Sequence, residues 1–149
     1  MPETKASLLI ADDDLSTRMM LSHIFAEGGY SVRSAPDGFS ALAEIHRELP
    51  EILISDLNMP GMSGFELITV VRSRFPEVRV IAMSDAFSGD DIPSSVAADA
   101  FFQKDSGFSE LLTIMRSLPR AERRAEQPRT APPPVWVPRY LRNRAERAT

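Results

Sequence analysis

The sequence predicts an α/β domain built on one doubly wound, five-stranded parallel sheet, with a separate tail behind it. Three observations carry this expectation. Five short apolar runs alternate with segments of helical periodicity along residues 5–118. The runs are apolar throughout, as strands covered on both faces are, rather than alternating apolar and polar. From Pro119 onward the pattern stops, and arginine and proline take over.

The first run, Ser7 to Ala11, reads as a buried strand. Asp14 or Ser16 is suited to cap the helix that follows, because a short polar side chain can accept from the unpaired N–H groups of a first turn. Met20, Leu21, Ile24 and Phe25 recur there at helical spacing. Gly28-Gly29 ends that helix, since glycine accepts the left-handed conformation of a helix C-terminus. Tyr30 to Ala35 reads as a second strand and Asp37-Gly38 as a turn. Ala41, Leu42, Ile45 and Leu49 line a second helix that Pro50 terminates.

Glu51 to Ser55 is a third strand and delivers Asp56. Met59 to Gly64 is a loop by composition. A third helix carries Phe65, Leu67, Ile68 and Val71. Val78 to Met83 is a fourth strand and delivers Ser84. Between Asp85 and Ser95 the apolar periodicity is weak, so only a short or irregular helix is expected. Ala100 to Gln103 is a fifth strand and delivers Lys104. Phe108, Leu111, Leu112 and Met115, at i, i+3, i+4 and i+7, mark a closing helix. Right-handed crossovers then leave few topologies, of which the flavodoxin-like arrangement is the expectation.

Charge divides the chain in the same place. Residues 1–118 hold 9 Lys and Arg against 18 Asp and Glu, a balance of −9; residues 119–149 hold 8 against 3, or +5, which together make the net −4. An acidic domain at 5–118 and a basic, disordered tail at 119–149 are therefore expected. The absence of cysteine excludes disulfides and thiolate metal sites and suits a reducing cytoplasm. No run is long enough to span a membrane, and the N-terminus has no signal-peptide pattern. The tail lacks the helical periodicity of a DNA-binding domain, so specific DNA recognition is not expected. Its Val135-Trp136-Val137 and Tyr140-Leu141 could dock a partner or simply remain solvated.

Asp12-Asp13, Asp56, Ser84 and Lys104 thus all fall at strand ends, where open α/β sheets keep their ligand sites. Each alone has a plain structural explanation: acids cap helices, and serines and lysines populate surfaces. Together they place a carboxylate pair, a lone carboxylate, a hydroxyl and an amine on one edge. That set suits phosphoryl transfer onto Asp56 with a divalent metal on the acidic pair. Clustered carboxylates repel one another, and an incoming phosphoryl group adds negative charge, so a lysine and a metal are both needed. His23 and His46 have no partner at ligand spacing and read as solvated. Met59 and Met62 could add to a partner surface beside Asp56.

Four motifs, LLIADDD (Leu8 to Asp14), ILISDLNMPGMSGFEL (Ile52 to Leu67), VIAMS (Val80 to Ser84) and AFFQK (Ala100 to Lys104), resemble the receiver domain of bacterial two-component response regulators, as in single-domain chemotaxis-type members. The resemblance covers roughly residues 5–118. It implies that Asp56 is the phosphoacceptor. It also implies that Asp12, Asp13, Asp56 and the backbone carbonyl of Asn58 hold Mg²⁺. Lys104 and Ser84 would stabilise the phosphoryl group, and Ser84 and Phe101 would form the conformational switch. It further implies phosphoryl delivery by a histidine kinase or phosphotransfer protein contacting Leu15, Arg18 and Met19, and output through an unidentified downstream protein.

The chain departs from the family at two positions. Asp105 follows Lys104 where the family has a cis proline, and no cis bond is expected here because a non-proline one costs about 3 kcal/mol. Asp85 follows Ser84 where the family favours a small residue, and a carboxylate there would modulate access to the phosphoryl site. Three rivals stand beside this reading. One is a receiver-like binding module that works without phosphorylation. Another is a small aspartyl-phosphate phosphohydrolase, for which the chain has little room for a cap. The last is a flavin-binding domain, for which no phosphate-cradling loop is visible.

Overall fold

The computed structural model describes residues 5–84 and 98–118. The expected helix in 85–95, Asp85 itself and the tail 119–149 lie outside the described residues. The elements run β1 (Ser7–Ala11), α1 (Leu15–Glu27), β2 (Ser31–Ala35), α2 (Gly38–Arg47), β3 (Ile52–Asp56), α3 (Gly64–Arg74), β4 (Arg79–Ser84), β5 (Ala100–Gln103) and α4 (Phe108–Ser117), with one 3-10 turn at Lys104–Ser106. All strand pairs are parallel, in the order β2-β1-β3-β4-β5. This is the flavodoxin-like doubly wound topology that the sequence predicts.

Strand parity sorts the core into two layers. Leu8, Ile10, Ile52, Ile54, Ile81, Met83 and Phe102 face α1 and α4, meeting Leu21, Phe25, Leu111 and Met115. Leu9, Ala11, Leu53, Val80 and Ala82 face α2 and α3, meeting Ala41, Leu42, Ile45, Leu67, Ile68 and Val71. Successive strand residues point to opposite faces, so both layers need apolar residues, and the strands become continuous apolar runs.

Four local expectations change. Met20 is exposed, because one residue before Leu21 is a turn of about 100° away from the buried stripe. Leu49 is exposed as well. Helix α2 ends at Arg47, Glu48 is extended, and Pro50 is buried instead. Gly38 is the first residue of α2 rather than a turn residue, and Asp37 caps that helix by accepting from Ser40 N. Met59 and Met62 are buried and belong to the α2–α3 layer, so they are not a partner surface. A Cβ on Gly38 would sit 2.7 Å from Met62 Cβ, which shows how closely α2 closes over that loop. Helix α1 ends as expected, with Gly29 at φ +96°.

Candidate functional site

Four strands deliver the site at the carboxyl edge of the sheet. Asp12 follows β1 and is fully buried, while Asp13 beside it is exposed. Asp56 is the last residue of β3, which lies next to β1 in the sheet, and is buried. Ser84 ends β4 on the other side of β3 and is buried. Lys104 begins the turn after β5, two strands from β3, about 10 Å away in the sheet. Only a long side chain spans that gap.

Lys104 Nζ reaches both buried carboxylates, at 2.8 Å from Asp12 Oδ2 and 3.2 Å from Asp56 Oδ2. The second contact is also a hydrogen bond. The first is an ion pair without hydrogen-bond angles, so the buried Asp12 Oδ2 accepts no hydrogen bond. Asp56 Oδ1 accepts from Asn58 N at 3.1 Å, and Asp12 Oδ1 from Asp14 N at 2.9 Å. Asp12, Asp13 and Asp56 each offer one oxygen within 4.8 Å of the others. Hard oxygen donors, one of them a buried carboxylate oxygen whose one partner among the described residues is the Lys104 ammonium, fit a divalent cation of the magnesium kind.

Burial, first, pushes the Asp56 carboxyl up from 3.8 to about 6; the Asn58 N–H opposes this, the Asp12 charge adds to it, and Lys104 opposes it. Burial acts against the charged Lys104, but Asp12 and Asp56 outweigh it and hold the ammonium above its ordinary value. The choice between Asp14 and Ser16 falls to Asp14. Its Oδ2 accepts from Thr17 N and from Thr17 Oγ1 at 2.6 Å, which caps α1 and holds its carboxyl below the usual range. The three successive aspartates therefore divide into a buried carboxylate of the cluster, an exposed one and a helix cap.

The loop after Asp56 makes sense residue by residue. Leu57 is buried and its N–H pairs with Met83 O. Asn58 turns its amide onto Asp56. Gly61 adopts φ +76°, where only glycine is free of strain. Ser63 caps α3 by accepting from Glu66 N. Gly64 lets the first turn of α3 lie directly on the end of β3: a Cβ there would overlap Asp56 O and sit 2.6 Å from Leu57 Cα. Sequence reasoning took Gly64 only as a loop residue; the Ser-Gly pair just ahead of a helical stripe was the available signal.

One further residue was missed, and one has a partner that the sequence did not indicate. Asp99 Oδ2 accepts from Val80 N at 2.6 Å and Arg72 Nη2 at 3.0 Å, tying the start of β5 to β4 and α3. Nothing in the spacing pointed to it. Arg18, expected at a kinase surface, is half-buried and donates Nη1 to Asp12 O at 2.7 Å. Leu15 and Met19 are exposed, at 58% and 63%. Phe101 is partly exposed and Phe102 buried, as alternation on an edge strand requires. No peptide bond among the described residues is cis.

A 2-1-3-4-5 parallel sheet with an acidic cluster and a lysine at its carboxyl edge defines a receiver-type signalling domain. Residues 8–116 match the response regulator receiver domain family, and the chain belongs to that family. It is 32% identical over 125 residues to the transcriptional activator protein ExaE of Pseudomonas putida, covering 81% of this chain and 58% of that one. It is 32% identical over 115 residues to the response regulator MprA of Mycobacterium avium, covering 76% and 50%. The chain thus spans little more than half the length of these two relatives. Among solved structures, the chemotaxis protein CheY4 of Vibrio cholerae superposes with a TM-score of 0.71 at 31% identity, covering 78% of this chain and all of that one. The response regulator TrrA of Thermotoga maritima, in complex with Mg²⁺ and BeF, gives 0.70 at 30% identity, covering 77% of this chain and 100% of that one. No helix among the described residues is long and apolar enough to cross a membrane.

Proposed function

We propose that residues 5–118 work as a phosphoacceptor module that takes a phosphoryl group onto Asp56 from a histidine kinase or phosphotransfer protein in the cytoplasm. The observation that carries this reading is Lys104 Nζ bridging Asp12 and Asp56 at 2.8 and 3.2 Å. It gathers three of the strand-end residues at one point. Asp12, Asp13, Asp56 and the carbonyl of Asn58 would hold Mg²⁺, which supplies charge neutralisation for phosphoryl oxygens. The magnesium complex of TrrA, of the same fold, supports that choice of ion.

In the transfer, an Asp56 oxygen attacks the phosphorus of a phosphorylated imidazole. The P–O bond forms as the P–N bond breaks, and its electron pair returns to the ring nitrogen. The ammonium of Lys104 stays charged and neutralises one phosphoryl oxygen. The buried Ser84 hydroxyl donates to another, and this contact biases Phe101 between two positions. The exposed Leu15 and Met19 on α1 flank the acidic loop and suit a kinase contact. Output runs through binding of a downstream protein that prefers one of the two states.

Intact-mass measurement after incubation with acetyl phosphate and Mg²⁺ tests this. One phosphoryl mass is gained by the wild type and none by Asp56→Asn. A mass gain in neither protein would instead favour a module that works without phosphorylation. Turnover of a generic phosphomonoester would instead favour a phosphohydrolase.

A further inference from the structure

Besides the bonds from Asp12 N to Ala35 O and from Arg18 N to Asp14 O, and the Lys104 ion pair, the acidic loop after β1 is held at three oxygens. Two of the contacts are local: Asp14 N donates to Asp12 Oδ1, and Thr17 donates to Asp14 Oδ2. Such bonds accompany any aspartate cap. The third is of another kind. The Arg18 guanidinium, a full turn into α1, returns to the carbonyl oxygen of Asp12 at 2.7 Å. That carbonyl belongs to the peptide unit joining Asp12 to Asp13. Asp12 is fully buried and its carboxylate is fixed by Asp14 N and Lys104. Asp13 is exposed and lies beyond that one peptide unit. An uncompensated change in ψ of Asp12 or φ of Asp13, the torsions that flank that peptide, moves one carboxylate of the pair relative to the other.

We propose that Arg18 is a positioning residue for divalent-cation binding. Its short, charge-assisted hydrogen bond fixes the Asp12–Asp13 peptide and so sets the separation of the two carboxylates. The proposal rests on the reading that the acidic cluster holds such a cation. It also says which cation gains. Magnesium demands near-ideal octahedral geometry at short range, whereas calcium accepts six to eight oxygens in flexible arrangements. A fixed peptide therefore favours magnesium over calcium. Electrostatics alone works in the opposite direction: a guanidinium beside an acidic site repels both cations, and its removal would tighten both.

The test is calorimetric titration of the full chain with Mg²⁺ and, separately, Ca²⁺, for the wild type, Arg18→Met and Arg18→Lys, with thermal melting of each to verify folding. Arg18→Met keeps the aliphatic stem and loses the donors. Its Mg²⁺ affinity falls about tenfold, as for other residues that orient metal ligands. Its Ca²⁺ affinity falls less, so the preference for magnesium shrinks. Arg18→Lys, which keeps one donor group, lies between. Unchanged Mg²⁺ affinity in Arg18→Met, equal losses for both ions, or tighter binding of both would overturn the proposal. Should Arg18→Met fail to fold, a magnesium preference in Arg18→Lys equal to the wild type would do the same. A wild type that binds no Mg²⁺ overturns the metal reading itself, and this proposal with it.

Discussion

Lys104 Nζ stands 3.2 Å from Asp56 Oδ2, although β4 separates their strands. The lysine crosses that strand to place its charge where a phosphoryl group would add more negative charge. Lys104→Met removes a contact that lowers the Asp56 pKa, so that carboxyl titrates above about 6. Phosphorylation by acetyl phosphate slows by at least tenfold, the size expected for loss of one charge-stabilising group. Carboxyl NMR titration and the mass assay check the two parts.

The raised pKa of Asp56 makes a definite statement about stability. Its folded value, about 6, lies above the 3.8 of an unperturbed carboxyl. The folded state holds its proton more tightly, so this group favours folding below about pH 4, and the contribution is lost as pH rises through 6. In the metal-free protein, Asp56→Asn therefore stabilises above pH 6, by on the order of 2 kcal/mol, with little effect near pH 4. Urea unfolding in EDTA at the two pH values measures the difference.

Metal binding carries the opposite slope. The cation takes the ionised carboxylate and must displace the proton. Mg²⁺ affinity rises as pH goes from 5 to 7 and levels off above Asp56's pKa. Proton release on binding, read by calorimetry in two buffers of different ionisation enthalpy, disappears in Asp56→Asn.

Gly64→Ala tests the close approach of α3 to the end of β3. The added methyl meets backbone at Asp56 and Leu57, which cannot rotate away. A loss of about 3 kcal/mol or more is expected, whereas the same change at an ordinary exposed helical glycine gains up to about 1 kcal/mol. Chemical denaturation supplies the number, and a loss below 1 kcal/mol would contradict the contact.

The Asp85 carboxylate follows Ser84 directly in the chain and would repel an incoming phosphoryl group. Asp85→Ala changes the rate of phosphorylation by acetyl phosphate or the lifetime of the product. Equal rates and equal lifetimes for the two proteins would remove the modulating role.

Most of the architecture was legible because parallel strands leave an unmistakable trace. Leu8 to Ala11 and Ile52 to Ile54, runs of four and three residues, are apolar on both faces, as strands covered on both sides require. The site was legible through the order of strand-end residues, since the topology brings strand ends together whatever the loops do. What escaped notice depends on contacts between elements. Met20 and Leu49 fit a helical stripe on paper, but a one-residue offset and an early helix end turn them to solvent. Met59 and Met62 looked like loop surface because composition carries no trace of α2 closing over them. Arg18 read as an outward cation because a backbone carbonyl, its acceptor, is invisible in a sequence.

The two-layered core has a corollary for how the chain finds its alignment. Every residue of β3 is buried, and both of its faces are apolar. Sliding β3 by one residue would exchange Leu53 and Ile54 between layers at small hydrophobic cost, so oily side chains alone discriminate poorly against the shifted pairing. The polar end of the strand does discriminate: a shift would pull Asp56 away from Lys104 and drive the start of α3 into the wrong backbone. The groups assigned to chemistry are thus also the index marks by which the central strand is threaded.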